Sequence, residues 1–534
     1  MTIKRFGLII ATLIAIGLAT LSLFGSWQEP QFQSRLELYQ TNIALQAQAW
    51  QPGDSSDDNF SAIREAILGE EPLETATKQY QQARESVQAN LDKAKKQLAQ
   101  LPSPPQTIPT PPKPLPKFSS KRKTSGGEQQ EKLQQSLKQA EKLLAELDLR
   151  LGILQAQQGQ TDTALNTWNE LQKRLEQDNP TIDYSLSTEI GGTAAVLSGL
   201  WSNSPRLLPN AQQVIQKNLE GWFRSTALVQ LYELQQRQEA LSAVQAAEQE
   251  AAAQAVVKLV IIATIPSLAA LVGTILLIFL IAQRLLKGKE ALLAQNADAP
   301  WSTPWDGETV LQVFVLGFFF MGQAFVPLLL SLIPIPRPLG NVRIQAVYVL
   351  ISYLLVASGA LSVLYISIKR FFPLPKFWFR FRLQDKWFLW GLGGYCVALP
   401  IVVVVSLINQ QLWQGQGGSN PLLQLALESQ DVVALGIFFS TAAIAAPFFE
   451  EILFRGFLLP SLTRYFPVWG AIIASALLFA IAHLSLSEIL PLTALGIVLG
   501  VVYTRSRNLL APILLHSLWN SGTLLSLFLL GGSN

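Results

Sequence analysis

The sequence predicts an all-α fold, in which a polytopic helical membrane bundle of about nine spans carries an extracytoplasmic α-helical module. Of the 534 residues, 49% are hydrophobic and only 14% are charged, whereas soluble domains carry about 25% charged residues. The apolar residues are also unevenly distributed. Residues 28–255 are rich in Gln, Ala, Glu and Lys, while one apolar run follows another from Leu259 onward. This division predicts one polar module and one membrane module.

An apolar run near the N-terminus, Gly7 to Phe24, follows the basic residues Lys4 and Arg5. A cleaved signal peptide and a retained membrane anchor are the two interpretations of such a run. It is longer than the apolar core of a typical signal peptide and lacks an A-x-A cleavage site. We therefore predict that residues 1–26 form an anchor that is not cleaved.

Residues 27–255 are predicted to form the helical module. Apolar residues recur with helical spacing at Leu36–Ala49, at Thr75–Leu101 and again from about Lys132. A proline-rich linker at residues 101–127 interrupts this pattern. Dense proline removes backbone donors and favours an extended polyproline helix. The linker is thus predicted to be a stiff, exposed spacer, with a proline-rich ligand for a protein partner as the alternative.

One part of the module, Asp148–Leu171, resembles a tetratricopeptide repeat. Gly152 on its first helix is expected to face Ala164 on the second and to let the helices pack closely. The segment Trp222–Ala247 repeats the pattern weakly. Such repeats bury their apolar faces only by stacking. An ordinary helical hairpin is the alternative, and either structure offers a surface for a protein partner.

The membrane half contains apolar runs close to the roughly 20 residues that cross a bilayer. We assign residues 256–386 to additional transmembrane helices and residues 387–534 to the membrane domain that carries the candidate active site. With the N-terminal anchor, the predicted spans are Gly7–Phe24, Leu259–Ala282, Val310–Ile333, Ile344–Ile368, Phe388–Ile408, Val432–Pro460, Val468–Leu484, Leu486–Tyr503 and Leu509–Leu530.

The orientation of these spans follows from the basic residues, because Lys and Arg collect in cytoplasmic loops. The loop Asn409–Asp431 carries no positive charge, whereas the segment Lys369–Lys386 is dense in them. This asymmetry predicts a cytoplasmic N-terminus, an extracytoplasmic module and an extracytoplasmic C-terminus. Arg337 and Arg343 are the exceptions to it.

Three charged residues, Glu450, Glu451 and Arg455, lie inside one predicted span. A charge at the centre of a bilayer costs about 2.5–3.5 kcal/mol on insertion scales, so a use for these residues is expected. Glu451 and Arg455 have the spacing and order of a helical ion pair. Glu450 points elsewhere around the helix. Because burial without a cation makes a carboxylate a better base, Glu450 is the candidate general base.

Both histidines of the chain, His483 and His516, lie near the C-terminus. Asn520 follows His516 by one helical turn and shares its face. Imidazole and amide groups donate the hydrogen bonds that a developing oxyanion needs. A water held between Glu450 and His483 is then placed to attack a carbonyl carbon whose oxygen faces His516 and Asn520. This set of groups predicts amide hydrolysis without a covalent intermediate.

Three motifs, EEILFR, FAIAH and HSLWN, resemble those of the type II CAAX-protease and bacteriocin-processing family of intramembrane endopeptidases. The resemblance covers residues from about Asp385 to the C-terminus. It implies the roles given above, with Glu451 and Arg455 supporting the site, and a membrane-associated protein or peptide substrate. The N-terminal anchor and the extracytoplasmic module predict a protein of a bacterial cell membrane. The matching positions are Glu450, Glu451, Arg455, Phe479, His483, His516 and Asn520.

Members of this family have also been called metalloproteases. Glu450, His483 and His516 resemble the three ligands of a catalytic zinc site. A zinc site would use Glu450 as a ligand and leave no unpaired base, since Glu451 is assigned to Arg455. We therefore favour a glutamate-activated water with no required cofactor, and zinc is the alternative.

Two other functions use the same buried charges. A non-catalytic relative of the family would bind and sequester a membrane peptide, as an immunity protein does. A transporter should show an internal repeat with paired broken helices, and the charged span has no second copy. A net charge of only +3 gives no indication of a nucleic-acid partner.

Overall fold

The all-α prediction is confirmed by the computed structural model, in which every regular element of the described residues is a helix. The described residues form two compact units, one of Met1–Leu36 with Val260–Gly532 and one of Glu37–Leu259. The division between the units falls between Leu259 and Val260, and the domain assignment from the sequence stays a prediction. The described residues are 3–27, 32–51, 69, 71–100, 125–176, 184–332, 341–413, 416–419 and 431–531.

The described helices of the polar unit pack around two clusters of buried apolar side chains. Its helices include the segments predicted from apolar spacing, and most of the proline-rich linker, residues 101–124, lies outside the described residues. The helices are α2 (Phe32–Gln48), α3 (Pro72–Gln100), α4 (Ser125–Gln157), α5 (Thr161–Glu176), α6 (Tyr184–Trp201), α7 (Ala211–Asn218) and α8 (Gly221–Leu234), followed by α9 (Gln238–Lys287), which continues into the membrane unit.

The α4–α5 hairpin packs closely at Gly152, and the side chain that fills the space is Trp168. A Cβ at Gly152 would lie 2.2 Å from the indole nitrogen of Trp168. That nitrogen donates a hydrogen bond of 3.1 Å to the backbone oxygen of Leu149. Trp168 and Ala164 are both fully buried. The close approach expected at Gly152 is therefore present, with the ring of Trp168 as the nearest neighbour. The tetratricopeptide interpretation stays a prediction.

The membrane unit contains most of the predicted spans as long apolar helices. Within the described ranges, eight helices are long and apolar enough to cross a membrane. These helices confirm the predicted multi-pass integral membrane protein. They are α1 (Ile3–Ser26), α9, α10 (Gly307–Leu332), α11 (Val342–Ile368), α12 (Trp387–Trp413), α13 (Val432–Leu462), α15 (Ile489–Ser506) and α16 (Leu510–Gly531).

The remaining predicted span, Val468–Leu484, is shorter than the sequence suggests. Its helix, α14 (Val468–Ile481), has 14 residues, a length of roughly 21 Å against a hydrocarbon core of about 30 Å. A turn follows it, in which Leu484 has a positive φ of 56°. Since His483 lies in this turn, the end of α14 sets the position of that imidazole.

The first helix, α1, is attached to the membrane unit at both ends. Near its start, Lys4 and Arg5 form ion pairs of 3.1 and 2.9 Å with Glu308, at the beginning of α10. At its end, the hydroxyl of Ser26 accepts a hydrogen bond of 3.2 Å from the backbone nitrogen of Leu486. These contacts place the start of α1 on the same side as the start of α10.

We expect reporter fusions after Gly126 and after Ser533 to report an extracytoplasmic location. The reason is the asymmetry of Lys and Arg, which favours a cytoplasmic start for α1. Paired phosphatase and fluorescent-protein fusions at each position measure this directly. A cytoplasmic signal after Gly126 would overturn the predicted topology.

Candidate active site

Glu450 and Glu451 lie on α13. Before and after them, this helix has π-helical turns, which are wider than the turns of an α-helix. Ser440–Ala445 and Ile452–Leu458 are π-helical, and the α-helical turn Ala446–Glu451 lies between them. Wide turns of this kind are rare and are frequent at functional sites. Hydropathy and spacing did not indicate either of them.

Glu451 and Arg455 form the ion pair predicted from their spacing. Arg455 Nη1 donates to Glu451 Oε1 at 2.7 Å, and both side chains are fully buried. The same guanidinium donates from Nη2 to the backbone oxygen of Gly496 at 3.2 Å. Its Cζ lies 4.5 Å from the centre of the Phe479 ring. Through these contacts with Gly496 and Phe479, Arg455 holds α13 against α15 and α14. Glu451 balances the charge of Arg455, which would be costly if it were buried without a partner.

Glu451 also binds His516, a contact that its spacing from Arg455 did not predict. His516 Nδ1 lies 2.9 Å from the Oε1 atom that accepts from Arg455. Because that oxygen belongs to a carboxylate, we assign the proton to Nδ1. Glu451 therefore fixes the ring orientation of His516, as carboxylates do for catalytic histidines. His516 is itself 3% exposed.

Glu450 has a different environment from its neighbour. Its side chain is 18% exposed, and its Oε2 lies 3.9 Å from Nε2 of His516. Its other oxygen, Oε1, accepts a hydrogen bond of 3.2 Å from the hydroxyl of Tyr353 on α11. The two carboxylates therefore differ as predicted, with Glu451 in an internal pair and Glu450 at the accessible edge of the network.

Tyr353 is the residue of this site that sequence reasoning missed. It lies outside the three motifs, and its hydroxyl meets a carboxylate 97 positions away. Tyrosines of transmembrane helices are enriched at the membrane–water interface. No sequence pattern separates that role from a contact within the site.

His483 is held by its own helix end. Its Nδ1 lies 2.9 Å from the backbone oxygen of Phe479, so a neutral ring has its proton on Nδ1 and its lone pair on Nε2. The Phe479 ring centre lies 5.0 Å from that of His483 and 5.7 Å from that of His516. In the described part of the chain, the histidine within 4 Å of Glu450 is His516. The water predicted between Glu450 and His483 stays a prediction.

The turn that carries His483 is supported from three sides. Asn409 on α12 donates to the backbone oxygen of Ser487 at 2.7 Å. The backbone nitrogen of Ser487 donates to the oxygen of Gly417 at 3.1 Å. Ser26 at the end of α1 accepts from Leu486. The turn is therefore positioned by α1 and α12 as well as by α14.

Asn520 binds α13 rather than the other predicted site residues. Its Nδ2 donates to the backbone oxygen of Ala442 at 2.7 Å. This carbonyl lacks a helical donor, since the N–H of Ala446 bonds to Thr441 and the next residue, Pro447, has no N–H. Asn520 thus completes the π-helical turn. This bond uses one of the two N–H groups of the amide, and the oxyanion role of Asn520 stays a prediction.

The residues named for zinc do not form a ligand set in this arrangement. Among the described residues, no group of three His, Cys, Asp or Glu side chains is placed to hold a metal ion. Nδ1 of His516 is bonded to Glu451 and Nδ1 of His483 to a backbone oxygen, which leaves Nε2 of each ring as the nitrogen that a metal could bind. Because the described residues are not gathered into a three-ligand set, we derive no step through a metal, and zinc stays the alternative.

Comparison with known proteins covers the C-terminal membrane region. Residues 432–522 match the family described as Type II CAAX prenyl endopeptidase Rce1-like. The chain is 29% identical over 133 residues to the "Putative membrane peptidase YdiL" of Bacillus subtilis (strain 168), which covers 25% of the chain and 53% of that protein. It is 26% identical over 205 residues to the "Membrane-embedded CAAX protease MroQ" of Staphylococcus aureus (strain USA300), covering 37% and 81%.

The chain thus spans about half the length of the first of these relatives. No solved structure matches it. Residues 432–522 include both histidines, both glutamates of α13, Arg455 and Asn520. Over this C-terminal region the chain is similar to the type II CAAX prenyl endopeptidase family.

Proposed function

We propose that this protein is an intramembrane endopeptidase that hydrolyses peptide bonds of membrane-associated proteins. One observation carries the proposal: Glu450 is a partly exposed carboxylate at the edge of a fully buried Glu451–Arg455–His516 network. The relatives named as a membrane peptidase and a CAAX protease support the reaction class. The family implies that the reaction is CAAX-type processing of such proteins.

In the proposed mechanism, Glu450 takes a proton from a water as the water oxygen attacks the scissile carbonyl carbon. The carbonyl oxygen becomes an oxyanion. His516 in its protonated form donates to it from Nε2, while its Nδ1–H stays on Glu451. The remaining N–H of Asn520 is the second donor. Glu450 then passes the proton to the leaving amine as the C–N bond breaks.

His483 completes the proposed site on the water side. Its Nδ1 is occupied by the Phe479 carbonyl, which leaves Nε2 as the free ring nitrogen. A neutral imidazole with this tautomer accepts a hydrogen bond at Nε2. We propose that this nitrogen accepts a hydrogen bond from the second O–H of the attacking water, which keeps that proton, and so orients the lone pair of the water oxygen toward the carbonyl carbon.

The favoured mechanism needs no metal, and chelation tests this point. Purified protein in liposomes, supplied with a membrane-inserted peptide library, should keep its cleavage rate after exhaustive chelation. If zinc were the electrophile, chelation would stop cleavage and added Zn²⁺ would restore it. Peptide binding without any cleavage by the wild-type protein would instead favour the sequestering alternative.

Asn520→Ala is expected to slow cleavage by roughly 10²–10³, the usual loss for one oxyanion donor. Thr523→Ala is the matched control, because Thr523 lies on the same helix and its hydroxyl donates to the backbone oxygen of Trp519, one turn earlier. Turnover and thermal unfolding of both variants measure the effect. A near-normal rate for Asn520→Ala would exclude Asn520 as an oxyanion donor and leave it only the structural bond with Ala442.

A further inference from the structure

We propose that Tyr353 is a positioning residue that holds Glu450 in its reactive orientation. The inference rests on the proposed function and extends it to a helix beyond the three motifs. Tyr353 lies on α11 (Val342–Ile368), and the family match begins only at residue 432. In this proposal α11, one of the transmembrane helices that precede the family match, contributes a residue to the active site as well as anchoring the chain.

The contact gives the two oxygens of the Glu450 carboxylate different surroundings. Oε1 accepts the hydrogen bond of 3.2 Å from the Tyr353 hydroxyl. Oε2 faces His516 Nε2 at 3.9 Å, a distance that leaves this oxygen without a direct hydrogen bond to the imidazole. Oε2 is therefore the oxygen available to a water.

The tyrosine ring is itself held in place by packing. It lies edge-on to Phe449, with 6.0 Å between ring centres and 85° between planes. Phe449 is 3% exposed and packs in turn against Phe318 of α10 at 6.4 Å. A side chain fixed by neighbours gives its hydroxyl a defined position.

This support matters because a glutamate side chain rotates about several bonds. One hydrogen bond to Oε1 selects the orientation in which Oε2 points toward His516. Correct orientation of a reacting group is a large part of catalysis, and small displacements lower the rate strongly. The charged groups around Glu450 come from α13 itself, as Glu451 and Arg455, and from α16, as His516.

The test compares Tyr353→Phe with Tyr348→Phe in the full chain. Tyr348 lies on the same helix and is 40% exposed, so its hydroxyl is a matched control. Both proteins are reconstituted in liposomes and assayed on the membrane-inserted peptide that the wild type cleaves. We expect kcat of Tyr353→Phe to fall about tenfold, comparable to losing one hydrogen bond to a charged group. KM and the unfolding temperature should not change.

A second readout does not depend on cleavage. The infrared band of the Glu450 carboxyl group is assigned by its loss in Glu450→Gln. It should shift in Tyr353→Phe and stay in place in Tyr348→Phe. An unshifted band, a normal kcat, or a loss of kcat that comes with a lower unfolding temperature would each overturn the positioning role. If the wild type cleaves no peptide, the proposed function fails, and the infrared shift alone decides the role of Tyr353.

Discussion

Glu450→Gln is expected to abolish cleavage while the protein still folds and accumulates. Glutamine keeps the shape of the side chain and can still accept from Tyr353, but it cannot take a proton from water. The loss of a general base lowers a rate by about 10²–10⁴. Turnover in liposomes, with abundance and unfolding temperature as controls, measures the effect.

Glu450→Asp is the companion variant for this experiment. It keeps the carboxylate and withdraws it by one methylene from Tyr353 and His516. We expect slower cleavage than in the wild type and faster cleavage than in Glu450→Gln. Equal activity of wild type and Glu450→Gln would remove Glu450 from the mechanism.

Glu451→Gln is expected to lower the stability of the protein. The change leaves Arg455 charged and without its carboxylate in a fully buried site, a loss of roughly 3–5 kcal/mol in the free energy of unfolding. It also takes the charged acceptor away from Nδ1 of His516. Abundance in membranes and thermal unfolding in detergent measure the loss.

The double variant Glu451→Gln with Arg455→Met separates the two roles of Glu451. Removal of the unpaired guanidinium should restore part of the lost stability. Cleavage should stay low, because His516 still lacks the carboxylate that orients it. The assignment of the two glutamates would be reversed if Glu450→Gln were unstable and Glu451→Gln were stable but inactive.

The fold was largely predictable from the sequence because a bilayer imposes a simple rule. A span needs about 20 apolar residues and satisfies its backbone as a helix, so hydropathy located the eight long helices. The exception is α14, where the apolar run Val468–Leu484 continues past the helix end at Ile481. Hydropathy measures the length of an apolar run and does not detect a turn inside it.

The site was predictable where contacts are local and unpredictable where they are distant. Glu451 and Arg455 are one turn apart, so spacing alone indicated their ion pair. The bond from His516 to Glu451 joins residues 65 positions apart, and that from Tyr353 to Glu450 joins residues 97 apart. These contacts depend on how helices pack, which the spacing of residues within one helix does not determine.

Asn520 has one contact that the structure shows and one role that stays a proposal. Its spacing from His516 predicts an oxyanion donor. The structure has it bonded to Ala442, a carbonyl that Pro447 leaves without a donor. The amide has two N–H groups, so one can support α13 while the other remains for the substrate.

The measurement that tests the central claim most directly compares membrane proteomes of cells that carry the wild-type protein and cells that carry Glu450→Gln at equal abundance. New protein termini are mapped by mass spectrometry of the membrane fraction. We predict a set of membrane-protein termini that occurs with the wild type and is absent with Glu450→Gln. Identical termini in both, with both proteins folded and equally abundant, would contradict an endopeptidase that uses Glu450.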